Sequence, residues 1–258
     1  MHPQLVFGKK FFSALVYKKV GQRQQLEVST TISNILLLHT GRILKFHLYI
    51  PQNLPLLYTD LWIKIITNSG ISKLELFNKP LIPYKMPSYL FSCLELTHLS
   101  LSNCILKPPR RFKGFRKLIH VNLESVKITA DISFGTQLEA LILEKCTGIE
   151  NLGCQFKYNN NLRTLEIMDS EKIDCQWFEC TKKLKVLGLR LYRESSNSRK
   201  EVISLDKLLG NLPEISGLHI YGFSLQCSES GASVLKRLKT MEKMHTLSLS
   251  CAGFCDLV

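Results

Sequence analysis

The feature that most constrains this chain is the stretch Leu96-Thr97-His98-Leu99-Ser100-Leu101-Ser102-Asn103-Cys104-Ile105-Leu106, which reads L-x-x-L-x-L-x-x-C-x-L. Alternate residues of a strand face opposite sides, so Leu99 and Leu101 enter a core while His98, Ser100 and Ser102 point the other way. Cys104 falls where the chain turns, a place that favours a short buried side chain able to tie off the loop backbone. The pattern recurs. Ile71, Leu74 and Leu76 open one copy, and Leu118, Val121, Leu123, Val126 and Ile128 fill another. Leu138, Leu141, Leu143 and Cys146 follow, then Leu162, Leu165 and Ile167, then Leu184, Leu187 and Leu189. Ile215, Leu218, Ile220 and Phe223 precede a last copy at Met244, Leu247 and Leu249, while Ile43, Phe46 and Leu48 give a weaker opening one. Successive copies start 20 to 31 residues apart, so the repeat is real but irregular.

Repeats of this length and pattern are leucine-rich repeats. They predict an α/β solenoid with a curved parallel sheet inside and short helices and loops outside. Each repeat stacks only on its neighbours, so 258 residues read as a single elongated array. Residues 1–41 are expected to form an N-terminal segment and capping helix, and residues 42–258 the repeats, the last of them incomplete. Val28, Ile32, Ile35 and Leu36 fall at i, i+4, i+7 and i+8, one apolar helix face, with Gly41 as a natural stop. This helix is expected to cover the end of the first strand, with Leu5 to Val16 extended or irregular beside it. Convex helices are expected within Pro55 to Ser69, Leu205 to Leu212 and Ala232 to Thr240. Thr129 to Gln137 reads as a loop, and the polar insertion Arg193 to Lys200 as an exposed bulge.

Several function classes are disfavoured. No apolar run approaches the ~20 residues that span a bilayer, so no membrane association is expected. Met1 to Phe7 lack a basic start and Lys9 and Lys10 interrupt the apolar patch after them, against a secretory signal. Nine cysteines, an odd count without such a signal, favour reduced thiols and a location in the cytoplasm, the nucleus or both. Cys175 with Cys180, and Cys251 with Cys255, lack the second ligand pair of a zinc site, so no metal is expected. There is no nucleophile elbow, phosphate loop or dinucleotide fingerprint, so neither catalysis nor a cofactor is expected.

The net charge is +13, which raises the question of where it lies. The outward strand positions carry three basic residues (Lys45, Lys73, Arg190) against four acidic ones (Glu75, Glu124, Glu144, Glu166), so the concave face reads as nearly neutral. A protein partner is the expected occupant of that face. Its candidate contacts are Tyr49, Phe77, His98, His120, Glu124, Glu144, Glu166, Arg190, His219 and Tyr221, with Tyr49, Phe77 and Tyr221 as aromatic anchors. His98 and His120 hold equivalent positions in adjacent repeats, where a strand spacing of ~4.8 Å lets the rings meet. Such a pair could bind metal or sense pH, but without a third ligand the favoured reading is two neighbouring surface histidines. Glu124, Glu144 and Glu166 read as an acidic column awaiting a basic partner, a catalytic pair being the weaker alternative. Elsewhere, Lys107, Arg110, Arg111, Lys113, Arg116 and Lys117 surround Phe112 and Phe115. They could grip nucleic-acid or acidic-lipid phosphates; the favoured reading packs both phenylalanines inward and leaves the charges solvated.

The segment His2-Pro3-Gln4-Leu5-Val6-Phe7-Gly8-Lys9-Lys10-Phe11-Phe12 resembles the stretch that follows the F-box in plant F-box/leucine-rich-repeat proteins of the FBD type. Leu61-Trp62-Ile63, followed by Gly70-Ile71-Ser72-Lys73-Leu74-Glu75-Leu76, is similar to that family's helix and first clear repeat. So is Leu208-Leu209-Gly210-Asn211-Leu212-Pro213, leading to Leu218-His219-Ile220. The resemblance implies a substrate-recognition subunit of a cullin-RING ubiquitin ligase, in which the F-box holds a Skp-type adaptor and the repeats hold a target. In that frame Met1 falls after the F-box and Val258 inside an unfinished repeat, before any FBD region. The adaptor is therefore expected only with an F-box upstream, and a truncated gene product is an alternative.

Overall fold

The computed structural model describes residues 3–15, 22–54, 56–150, 152, 156, 159–170, 181–191, 215–221 and 245–250. The chain divides into two units, 1–135 and 136–258. The readings at Leu205 to Pro213, Ala232 to Thr240, Arg193 to Lys200, Phe223, Met244 and the four paired cysteines lie outside the described residues.

In the first unit the order is β1 (Gln4–Phe7), α1 (Lys9–Leu15), α2 (Gln22–Leu38), β2 (Lys45–Ile50), α3 (Thr59–Asn68), β3 (Lys73–Asn78), β4 (Tyr84–Lys85), a 3-10 helix at Ser88–Ser92, β5 (His98–Ser102), β6 (Cys104–Leu106), β7 (His120–Glu124) and β8 (Lys127–Ile128). The main sheet is parallel, in the order β1-β2-β3-β5-β7. Its register aligns Phe46 with Leu74, Leu99 and Val121, and Leu48 with Leu76, Leu101 and Leu123. All eight are buried. This is the alternation expected from sequence, and it sends Lys45, His47 and Tyr49 to the opposite, open face. The copy at Ile43, Phe46 and Leu48, the weakest by eye, is as deeply buried as the others.

Two expectations at the N-terminus are corrected. Leu5 to Phe7 is extended as expected, Gln4–Phe7 pairing in parallel with Lys45 to Leu48 as the edge strand, but Lys9–Leu15 is helical. Phe7 is buried, its ring 5.8 Å from Phe46 and 5.0 Å from Phe11. Consequently α2 does not cap the first strand. It links β1 to β2, with Val28, Ile32 and Leu36 buried and Ile35 exposed, and it meets α3 through the Trp62–Ser33 hydrogen bond. The apolar stripe locates the helix but does not say which neighbour it packs on.

A second parallel sheet, β4-β6-β8, was not foreseen. It forms because the residue after the open-face strand turns into left-handed backbone, at Asn103 (φ 52°) and Ser125 (φ 53°). That turn redirects the chain into β6 and β8. Asparagine tolerates the conformation, whereas serine does not announce it, so only one of the two positions carries a sequence signal. The buried Cys104 follows, its thiol donating to the Ser102 carbonyl at 3.3 Å. Burial pushes that thiol up to about 12, so it stays protonated and acts as a small core group.

The second unit contains β9 (Ala140–Glu144), β10 (Thr164–Ser170), β11 (Val186–Leu191), β12 (Gly217–Tyr221) and β13 (Thr246–Ser250), all parallel and in that order. Leu141, Leu143, Leu165, Ile167, Leu187, Leu189, Leu218 and Ile220 are buried. Lys145 (φ 51°) and Asp169 (φ 49°) repeat the left-handed turn. Cys146 repeats the role of Cys104, with its thiol 3.4 Å from the Glu144 carbonyl. Among the described residues no helix is long and apolar enough to cross a membrane.

Candidate functional site

On the open face of the first unit, side chains fall in rows set by the strand register. Lys45, Lys73, His98 and His120 form one row; His47, Glu75, Ser100 and Asn122 the next; Tyr49, Phe77, Ser102 and Glu124 the third. Glu75 is the hub of the first strands. Its Oε1 accepts from Lys45 Nζ at 2.7 Å and its Oε2 accepts from His47 Nδ1 at 2.6 Å. Burial alone would raise this carboxyl, but the hydrogen bonds from Lys45 and His47, with their charges, outweigh it and hold the carboxyl below its ordinary 4.5. A carboxyl depressed in the folded state stabilises above the unfolded value and loses that contribution as pH falls through the folded one. The urea midpoint of Glu75→Gln should therefore lie below wild type at neutral pH, and the gap should close as pH drops below about 4. A gap independent of pH would show that the substitution acts through packing instead.

The aromatic anchors are partly engaged. Phe12 of α1 lies 6.4 Å from the Tyr49 ring, and Lys9 Nζ stands 5.4 Å over it. Tyr49 is thus covered by the chain's own N-terminal helix. Phe77 lies 5.4 Å from the His47 ring and is half-exposed. Tyr221 ends β12, and its side chain lies outside the described residues.

His98 and His120 do meet. Their rings stack at 5.0 Å with an interplanar angle of 17°. His98 Nδ1 is 2.9 Å from Thr97 Oγ1, whose own proton goes to the Ser72 carbonyl at 3.0 Å. The hydroxyl can therefore only accept from the imidazole, so neutral His98 carries its proton on Nδ1 and leaves Nε2 bare. Burial, then Lys73 and His120, lowers the His98 pKa below 6.5 against a smaller opposing pull from Glu75. No group of three metal-ligating side chains occurs among the described residues.

The acidic column is corrected. In the second unit Glu144 aligns with Met168, and Glu166 with Ile142, so these two carboxylates occupy different rows. Glu144 ends its strand whereas Glu166 sits mid-strand; counting residue type without row position merges them. Nor does Glu144 await a cation: Arg190 approaches at 3.5 Å and Lys145 at 3.6 Å. Arg190 also pairs with Asp169 at 2.7 Å, an acid that sequence reasoning missed because a register shift after Met168 brings it to this face. Glu166 lies beside Gly188, where an added Cβ would stand 3.0 Å from its Cγ, and His219 follows in the same row. In the first unit Glu124 pairs with Lys79 at 3.5 Å.

Of the two phenylalanines in the basic loop, Phe115 packs fully inward and Phe112 in part. Phe115 is buried, and Phe91, Phe112 and Phe115 form an edge-packed cluster with centroids 5.0 to 6.1 Å apart. Lys107, Arg110, Arg111, Lys113, Arg116 and Lys117 remain exposed, and Lys117 pairs with Glu95 at 2.7 Å.

Stacked parallel strands, left-handed strand exits and thiols closing the turns define a leucine-rich-repeat protein. The At1g61320/AtMIF1 leucine-rich-repeat domain matches residues 35–193, more than half of the chain, and the chain belongs to that family. It is also similar to the F-box/FBD/LRR-repeat protein At1g13570 of Arabidopsis thaliana, 29% identical over 197 residues that cover 72% of this chain and 45% of the relative. The matched stretch thus spans less than half of that relative's length. The resemblance to FBD-type plant proteins, read from the N-terminal segment and the repeats, agrees with this relative.

Proposed function

We propose that the chain is a non-catalytic protein-binding module whose open strand faces hold a target, acting as the substrate-recognition part of an F-box subunit of a cullin-RING ubiquitin ligase. The observation that carries this reading is the open face of the first unit. There a half-buried aromatic, Phe77, stands among the polar groups His47, Glu75 and Ser100 on a parallel ladder, the mixture that protein interfaces use. The likeness to an F-box/FBD/LRR-repeat protein supports the ligase context, with a Skp-type adaptor as the second partner wherever an F-box accompanies these repeats. The cytoplasm or nucleus is the compartment this role requires.

The test is affinity capture from plant extract with wild-type chain, a Phe77→Ala/Asn122→Ala variant, and a Lys113→Glu/Arg116→Glu variant of the basic loop. A target of the open face should be lost about tenfold or more in the first variant and retained in the second. Its abundance should rise when the gene encoding the chain is silenced. Capture that survives the open-face changes but not the loop changes would move binding to the basic loop and overturn the proposal.

A further inference from the structure

Along the open face of the first unit, the ion pairs are distributed unevenly. Both oxygens of Glu75 are committed to Lys45 and His47. Lys73, directly across from Lys45 in the register, is exposed and forms no ion pair among the described residues. On its other side stands His98, stacked on His120. The hydroxyl of Ser100 and the amide of Asn122 lie in the adjacent row, two residues along the same strands. One fixed cation, one proton-accepting imidazole pair and two neutral hydrogen-bonding side chains thus occupy neighbouring positions on strands spaced ~4.8 Å apart.

We propose that Lys73, His98 and His120 form a subsite for a phosphorylated residue of the protein partner, with Ser100 and Asn122 as further hydrogen-bonding groups. This deepens the reading of the open face as a protein-binding surface and rests on it. The groups that act on His98 are Lys73, Glu75 and Lys45 from the neighbouring strands, His120 from the strand on its other side, and the Thr97 hydroxyl beside it. With Nδ1–H held by Thr97, proton uptake occurs at Nε2 and converts it from an acceptor into a donor. His120, stacked on the ring, disfavours a charge on His98. A carboxylate carries one charge and is neutralised by Lys73 alone, leaving little field to protonate the ring. A phosphate monoester carries nearly two charges at neutral pH, and its second charge is matched when His98 gains its proton. The subsite is therefore selective for phosphate over carboxylate, and binding is linked to proton uptake.

The probe is a short acetylated and amidated peptide whose only charge is one phosphoserine, compared with the same peptide bearing glutamate or unmodified serine, and with inorganic phosphate. Histidine resonances of the wild-type chain are followed by NMR across pH. The phosphoserine peptide should raise the His98 pKa by about one unit, equivalent to a tenfold preference for the protonated ring. Affinity should rise as pH falls from 8 toward the phosphate's second pKa of about 6 and decline below it, where the monoanion takes over. Lys73→Gln should weaken binding about tenfold throughout, and His98→Gln should remove the acid-side gain, with unchanged circular dichroism reporting that both variants are folded. Equal binding of the glutamate peptide, equal binding of inorganic phosphate, or no response of His98 to phosphoserine would each overturn the proposal. The last result, combined with target loss in the Phe77→Ala/Asn122→Ala variant, would leave the open-face reading standing without this subsite.

Discussion

Gly135→Ala is expected to lower the stability of the first unit by about 3–5 kcal/mol, the scale of losing a buried aromatic residue. Gly135 has φ +84°, and a Cβ there would stand 2.0 Å from the Phe115 carbonyl oxygen and 3.2 Å from its carbon. Both are backbone atoms, so no rotamer change relieves the overlap. The Phe115 N–H already donates to the Ser133 carbonyl at 2.9 Å, which locks the two loops together. Relief means pushing the Phe115 backbone away and withdrawing its buried ring from Phe91 and Phe112. Gly70→Ala is the control. There φ is +74°, but the nearest atom is the Arg42 guanidinium at 3.1 Å, the far end of a flexible side chain. That variant should lose about 1–2 kcal/mol, the penalty for left-handed backbone. Urea unfolding followed by Trp62 fluorescence, in a Trp177→Phe background, separates the cases. Equal midpoints for the two variants would mean that the loops near Phe115 rearrange freely.

The contrast between these glycines illustrates what could be read from the amino-acid sequence. Strand positions were legible because one face of a ladder must be apolar at every second residue. That condition marked Leu74, Leu76, Leu99, Leu101, Val121 and Leu123 without ambiguity. The stacking of His98 on His120 was legible for the same reason, since equivalent positions in parallel strands are neighbours. The turns were less so. Ser125, Lys145 and Asp169 adopt left-handed backbone without the glycine or asparagine that would advertise it, because the ladder and the buried residue after each turn over-determine the conformation. The edge strand Gln4–Phe7 was hidden by its brevity and by Val6, exposed on the open face. The acidic column failed on rows: residue type suggested it, whereas a two-residue offset along the ladder dissolves it. Partner choice within ion pairs was only half legible: Arg190 shares a row with Glu144, but it reaches Asp169 through a register shift after Met168.

Trp62→Ala is expected to cost about 3–5 kcal/mol, and the reason extends beyond area. Trp62 is fully buried, and its indole Nε1–H donates to Ser33 Oγ at 2.9 Å. Ser33 in turn donates to the Ser29 carbonyl at 2.9 Å, and the buried Ser29 hydroxyl accepts from the Leu57 N–H at 3.2 Å. Two serines on one face of α2 thus satisfy polar groups from α3 and its entry loop. Ser33→Ala removes one hydroxyl but strands the buried indole N–H, which should cost about 1–3 kcal/mol. In a Trp62→Phe background the donor is already gone, and the same serine change should cost less by about 1 kcal/mol or more, the coupling expected of groups in direct contact. Urea denaturation followed by far-ultraviolet circular dichroism on wild type, the two single variants and the double variant measures that coupling. If Ser33→Ala costs the same in both backgrounds, the indole bond contributes nothing specific to the packing of α2 on α3.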